Sequence, residues 1–195
     1  MKLRIVSCLA MVLVTALSGL ASGKSTTISV PINQVAAHSG ERGQFYILEV
    51  NLPEDMAGKR LDSVFLEFAV DVTPLSQEDS VTVTPEVGVF PLTQTYQGGI
   101  GRSPGNDTEP EFKTLVPSLR PVAAGETRLV NMDITEIVRT WISNPATNHG
   151  LVIGSLTGPA VATVTLKESI PGDSSAVKIT FFYQNRFGDR ISARQ

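Results

Sequence analysis

An all-β domain, an antiparallel sandwich or barrel of short strands with one short amphipathic helix, is what this sequence predicts. Three observations carry that expectation. Apolar residues recur with a period of two over most of the chain, turn-forming clusters separate the runs, and a single segment switches to a helical period. No alternation of strands with helical segments suggests a parallel sheet.

Taken in order, Thr27–Ile32 is a first short strand, and Tyr46–Leu52 places Tyr46, Leu48, Val50 and Leu52 on one inward face. The clearest run is 64–72. There Val64, Leu66, Phe68, Val70 and Val72 share one face, while Phe65, Glu67, Ala69 and Asp71 share the other, the pattern of a strand buried on one side. Ser80–Val83, Val87–Leu92, Thr127–Met132, Leu151–Gly154 and Ala162–Lys167 are shorter candidates. Near the end, Val177, Ile179, Phe181 and Tyr183 form another inward set. Pro53–Gly58, Pro74–Asp79, Pro121–Glu126, Gly158-Pro159 and Pro171–Ser175 supply the turns.

The helical segment runs from about 133 to 143. Ile134, Ile137, Val138, Trp141 and Ile142 fall at i, i+3, i+4, i+7 and i+8, which makes one apolar stripe. Asp133 and Glu136 have the spacing of a capping box, Pro145 ends the helix, and Asn148-His149-Gly150 is turn chemistry before the next strand. Ten residues form no stable helix alone in water, so the stripe must cover core, with Trp141 buried at the open end of the domain. Asp133, Glu136, Trp141, Asn148 and Gly150 are therefore expected to be structural.

The N-terminus sets the compartment. Lys2 and Arg4 precede an apolar stretch, Ile5–Ala16, and then the small residues Ser18–Gly23, the order of a secretory signal peptide. The stretch is shorter than the roughly 20 residues that span a bilayer. Residues 1–23 are thus expected to be cleaved, 24–184 to form one domain, and 185–195, with Arg186, Arg190 and Arg194, to be a flexible basic tail. The only cysteine, Cys8, lies in the signal segment, so the exported chain holds itself together without disulfides. Removing Lys2 and Arg4 leaves 14 basic residues against 19 acidic ones and moves the net charge from −3 to −5. Nucleic acid, which demands a basic stripe, is not an expected partner.

Catalytic chemistry finds little support. Nucleophilic catalysis needs a base beside Ser, Cys or Thr. The two histidines are His38, in a polar Gly-Ser context that reads as solvated, and His149, in a turn that reads as structural. Glu49, Glu67, Asp71 and Glu168 fall on candidate strands and could pair two by two for glycoside hydrolysis, but acids on the outer face of an alternating strand are the ordinary solvated face. Neither catalytic residues nor metal ligands are assigned. A structural calcium ion is the one cofactor the loop oxygens would suit, at Asn106-Asp107 or Glu78-Asp79, without the spacing of an EF-hand. The long Gly-rich stretch Thr93–Pro110 is of a length that is functional or disordered. Among the aromatic residues Tyr46, Tyr96, Phe112 and Tyr183, Tyr96 lies in this loop and is the candidate platform for a sugar. Asn106 and Asp107 are its polar neighbours, and Arg102 with Lys113 is a local basic pair for an anionic glycan.

The segment from Val130 to Ile142, Val-Asn-Met-Asp-Ile-Thr-Glu-Ile-Val-Arg-Thr-Trp-Ile, followed by Asn144-Pro145 and Asn148-His149-Gly150-Leu151, resembles the helix block of the DNRLRE-domain family, also called disaggregatase-related modules. Gln44–Val72, with Leu52-Pro53 and Gly58 between its strands, resembles the family's early strand pair. Thr165–Ser169 and Val177–Tyr183 resemble its closing pair. The resemblance covers roughly 44–184. It departs at Gln34–Arg42, where a degraded form replaces the usual signature, at Lys167, which stands for a serine, and before the last strand, which has no preceding proline. It implies a jelly-roll-like β-sandwich of extracellular proteins, some of them carbohydrate-binding modules for acidic polysaccharides, and it does not imply catalysis. The expected function is a secreted, non-enzymatic binding module for extracellular polysaccharide, located outside the cell or in the periplasm. The alternative is a structural or adhesive surface or matrix protein that engages a protein partner. No membrane span is expected after signal cleavage.

Overall fold

The computed structural model describes residues 23–40, 43–56, 59–74, 86–96, 118–121, 127–155 and 162–184. Residues 1–22 of the expected signal segment, the expected tail 185–195 and most of the Gly-rich stretch lie outside these residues, as do the expected strand Ser80–Val83 and Arg102, Asn106, Asp107 and Lys113.

Alternating residues give long strands, and the longest alternation gives the longest strand. The described elements are β1 (Lys24–Val30), β2 (Val35–Gly40), β3 (Gly43–Leu48), β4 (Arg60–Pro74), β5 (Glu86–Pro91), β6 (Ser118–Pro121), β7 (Thr127–Asp133), α1 (Thr135–Ser143), β8 (Leu151–Ser155), β9 (Ala162–Leu166) and β10 (Val177–Gln184). They build two antiparallel sheets. Sheet A has the order β1-β10-β4-β7, with β9 pairing the far end of β4. Sheet B has the order β2-β3-β8-β5-β6. The described residues thus form an all-β sandwich with one α-helix.

The main core lies between the sheets. Sheet A contributes Val64, Leu66, Phe68, Val70, Val130, Met132, Ile179 and Phe181, and sheet B contributes Tyr46, Leu48, Val87, Val89, Leu151 and Ile153. Each set comes from alternate positions of its strand, as the pleat requires. The two sheets differ on their outer faces. Sheet A's is open to solvent. Sheet B's is itself buried, with Ala36, Phe45, Ile47, Leu92 and Val152 forming a second cluster against which Tyr96 packs. Sequence patterning placed Ile47 outward with Glu49; it is 4% exposed because this second cluster takes it up. The surroundings of His38, whose polar Gly-Ser context suggests solvation, form β2, which pairs along β3 from Val35↔Leu48 to Gly40↔Gly43.

The helix closes one end of the core. Ile134, Ile137, Val138 and Trp141 enter it, Trp141 at 1% exposure, while Ile142, expected in the stripe, is 45% exposed. The expected capping box does not form. Asp133 Oδ1 instead accepts from the Thr135 amide at 2.8 Å and from the Thr135 hydroxyl, and Glu136 pairs with Arg139 one turn on. The reason is that the β4–β7 ladder continues past Asp133. Ile134 N–H donates to Val64 O at 2.9 Å, and Val64 N–H donates to Thr135 Oγ1 at 2.9 Å, so the helix begins at Thr135, later than Asp133. After the helix, the Asn148 amide donates to Val50 O at 2.7 Å and its carbonyl accepts from Gly150 N–H. Gly150 has φ +98°, and a Cβ there would lie 2.4 Å from Leu48 O, so this turn requires glycine.

Candidate functional site

Strand register lays out the open face of sheet A as rows. One row runs Ser29, Lys178, Glu67, Asn131 across β1, β10, β4 and β7, and the next runs Thr27, Thr180, Phe65, Asp133. Phe182 stands beside Ser25 and Ser63 in a third. Thr27, Phe65, Glu67, Asn131, Lys178, Thr180 and Phe182 line a shallow depression of about 300 Å³. The Phe65 and Phe182 rings meet edge to face, 6.1 Å between centroids and 76° between planes. Phe182 is 40% exposed, and Leu129, farther along β7, is 54% exposed. Thr27 and Thr180 share a hydrogen bond at 3.1 Å.

Two charged residues of this face, Lys178 and Asp71, are ion-paired. Lys178 Nζ lies 2.5 Å from Asp173 Oδ2, while Asp173 Oδ1 accepts from Ser175 N–H at 2.8 Å. Hydrogen bonds from Lys178 and Ser175 hold the Asp173 carboxyl far below the usual carboxylate range, and Asp173 in turn raises the Lys178 ammonium. Two residues along β4 from Ala69, Asp71 accepts from Lys167 Nζ at 2.8 Å and from the Thr127 hydroxyl, which lowers its pKa. Lys167 is thus the partner of Asp71.

The candidates read from sequence are spread elsewhere. Tyr96 is half-buried against sheet B's second cluster, and its hydroxyl lies 3.2 Å from Nδ1 of His38. His38, expected to be solvated, is 6% exposed on β2, with its Nε2 buried and without a hydrogen-bond partner among the described residues. His149 Nδ1 lies 3.3 Å from Thr95 Oγ1. Both histidines of the chain therefore hold consecutive residues, Thr95 and Tyr96, just beyond β5. Tyr46 and Tyr183 are core residues, 5% and 2% exposed, and Phe112 is outside the described residues. Of the carboxylates, Glu67 and Asp71 lie on β4 as expected, whereas Glu49 and Glu168 follow the ends of β3 and β9.

A second depression, at the start of α1, is lined by Asp62, Asp133, Glu136 and Arg139 among others. Its charges are engaged: Asp133 accepts from the Thr135 amide and hydroxyl, Glu136 pairs with Arg139, and the Asp62 carboxylate pairs with Arg60 at 3.2 Å. Among the described residues, no group of three or more His, Cys, Asp or Glu is arranged to hold a metal ion. No helix among them is long and apolar enough to cross a membrane.

The open face of sheet A was not singled out from sequence. Its signal was a large aromatic at an outward position of an alternating strand, at Phe65 and again at Phe182, on two strands that prove to be neighbours. Compared with known proteins, the chain matches no family model and no curated sequence.

Proposed function

We propose that this chain is a secreted, non-catalytic binding module whose ligand is an extracellular polysaccharide, held on the open face of sheet A. The observation that carries the reading is the Phe65–Phe182 pair on a face otherwise lined by hydroxyl, amide and charged side chains. A sugar has apolar C–H patches and a rim of hydroxyls. Such a ligand wants an apolar ring surface with a few placed polar groups beside it. Asn131, Thr27, Thr180 and Glu67 are such groups.

Secretion is supported by Lys2, Arg4 and the apolar stretch that follows. The resemblance of 130–154 to DNRLRE modules adds to the reading of a binding role. Catalysis is left out because His38 and His149 are engaged in holding Tyr96 and Thr95. Leu129, exposed on the same face, favours a second reading, an adhesive or structural surface protein that docks a protein partner there.

Glycan-array binding by the wild type and by Phe182→Ala tests the proposal. Binding that the substitution abolishes, with the fold intact, supports it. An array with no bound glycan, alongside a protein partner lost on Leu129→Ser, establishes the second reading instead.

A further inference from the structure

The charges on the open face of sheet A go further than the aromatic pair, because they discriminate between classes of glycan. Among the seven residues that line the depression, Lys178 is the one cation. It is already held by Asp173 at 2.5 Å, and it stands directly across from Glu67 in the β10–β4 register. One ammonium thus faces two carboxylates. Asp133 adds another carboxylate at the β7 edge of the same face. The chain as a whole carries −3.

Resting on the reading of this face as a glycan site, we infer that it takes a neutral polysaccharide and excludes uronate-rich or sulfated ones. A carboxylate or sulfate arriving here must either displace Asp173 from Lys178 or lie unpaired beside Glu67. Like charges set against each other at an interface act as the repulsive element that specificity requires. At physiological salt the Debye length is about 8 Å, which leaves repulsion at contact range largely unscreened. A neutral sugar meets neither obstacle. Its hydroxyls donate to Glu67, accept from the Asn131 amide and exchange with Thr27 and Thr180, while its C–H faces lie on Phe182. Four strands about 4.8 Å apart give a path of roughly 14 Å across the face, room for a short run of sugar units. This differs from the acidic polysaccharides that some modules of the family it resembles take.

Affinity electrophoresis of the full chain tests the inference, in native gels cast with hydroxyethylcellulose or glucomannan and in gels cast with alginate or polygalacturonate. The expected result is retardation by a neutral polymer, reduced at least tenfold in affinity by Phe182→Ala and by Asn131→Ala, and none by the polyanions. Retardation by alginate or polygalacturonate that is equal or stronger, and lost in Phe182→Ala, overturns the neutral assignment while leaving the face a glycan site. Retardation by neither class overturns the glycan reading itself. Circular dichroism of both variants confirms that losses reflect binding and not unfolding.

Discussion

The outer faces of the two sheets began as similar sequence problems and ended as opposites. On sheet A the outward positions are Thr27, Lys178, Thr180, Phe182, Phe65, Glu67 and Asn131, and they meet solvent. On sheet B the corresponding positions are Ala36, His38, Phe45, Ile47, Val152 and Phe90, and they are buried. Antiparallel sheets with one wet face read as clean alternation, whereas strands covered on both faces read as near-continuous apolar runs. Leu151-Val152-Ile153 and Phe45-Tyr46-Ile47-Leu48 are such runs. A large outward-facing aromatic therefore has a different meaning on each sheet: a buried core residue on B, as at Phe45 and Phe90, and a solvent-exposed feature on A, as at Phe182.

The sharpest way to break this comparison is Phe45→Ala. Phe45 is 1% exposed on sheet B's outer face and lies across from Gly154, where an added Cβ would come within 2.4 Å of the ring. Its ring covers the glycine that lacks a side chain of its own. Truncation should cost about 3–5 kcal/mol, as for other buried aromatics. For a domain of this size, each 1 kcal/mol moves Tm by about 2–4 °C, so calorimetry should read a drop of roughly 10 °C. A drop under 2 °C would mean that sheet B's outer face is not core.

Asp133→Ala ranks next and acts where sheet A hands over to α1. The substitution removes the acceptor for the Thr135 amide and hydroxyl just ahead of α1, and an intramolecular hydrogen bond is worth about 0.5–1.5 kcal/mol. Thr135→Val should be comparably costly, because it also strips the Val64 amide of its partner. Urea denaturation with an unchanged m-value would confirm a local effect; an unaltered midpoint in both variants would show that the Asp133–Thr135–Val64 hydrogen bonds do not stabilise the fold.

How much of this was legible in sequence follows from where each residue's environment is decided. β4 and β10 were readable because their inward residues alternate without interruption, and Trp141 was readable because its helical stripe has only one face to bury. His38 was not. Its neighbours Ser39, Gly40 and Glu41 suggest a loop, yet β2 forms because β3 offers it a full edge to pair with, and Tyr96 reaches it from a segment 58 residues away. The candidate face was missed for the same reason. Phe65 and Phe182 are 117 positions apart, and only the β4–β10 register brings them together. Long-range pairing carries the site, and a period of two carries only the strands that compose it.

Phe182→Ala supplies the contrast with Phe45. The side chain is 40% exposed, and what it gives up is mainly its edge-to-face contact with Phe65, a kind of pair worth about 0.5–1.5 kcal/mol. Stability should fall by about 1 kcal/mol or less, several-fold below the Phe45 loss for the same chemical deletion. Equal losses at the two positions would erase the distinction between the faces.

The smallest effect expected is electrostatic, and it belongs to sheet A alone. Asp71 is bonded to Lys167 and then to Thr127, and both lower its pKa below the ordinary 3.8. A carboxylate whose folded pKa is depressed stabilises the fold above its unfolded pKa, and that contribution disappears as pH falls through the folded value. The group is exposed, so solvent screening limits the pair to a few tenths of a kcal/mol. Asp71→Asn should therefore lower Tm slightly at pH 6, and the deficit should shrink steadily below pH 4 until the two proteins melt together. Raising salt to 1 M at pH 6 should close most of the same gap, since a Debye length of about 3 Å screens an exposed pair. A deficit that persists unchanged at pH 2 would show that Asp71 acts through its hydrogen-bond geometry with Thr127 rather than through its charge. The face's charge pattern would then need to be tested at Asp173 and Lys178 instead.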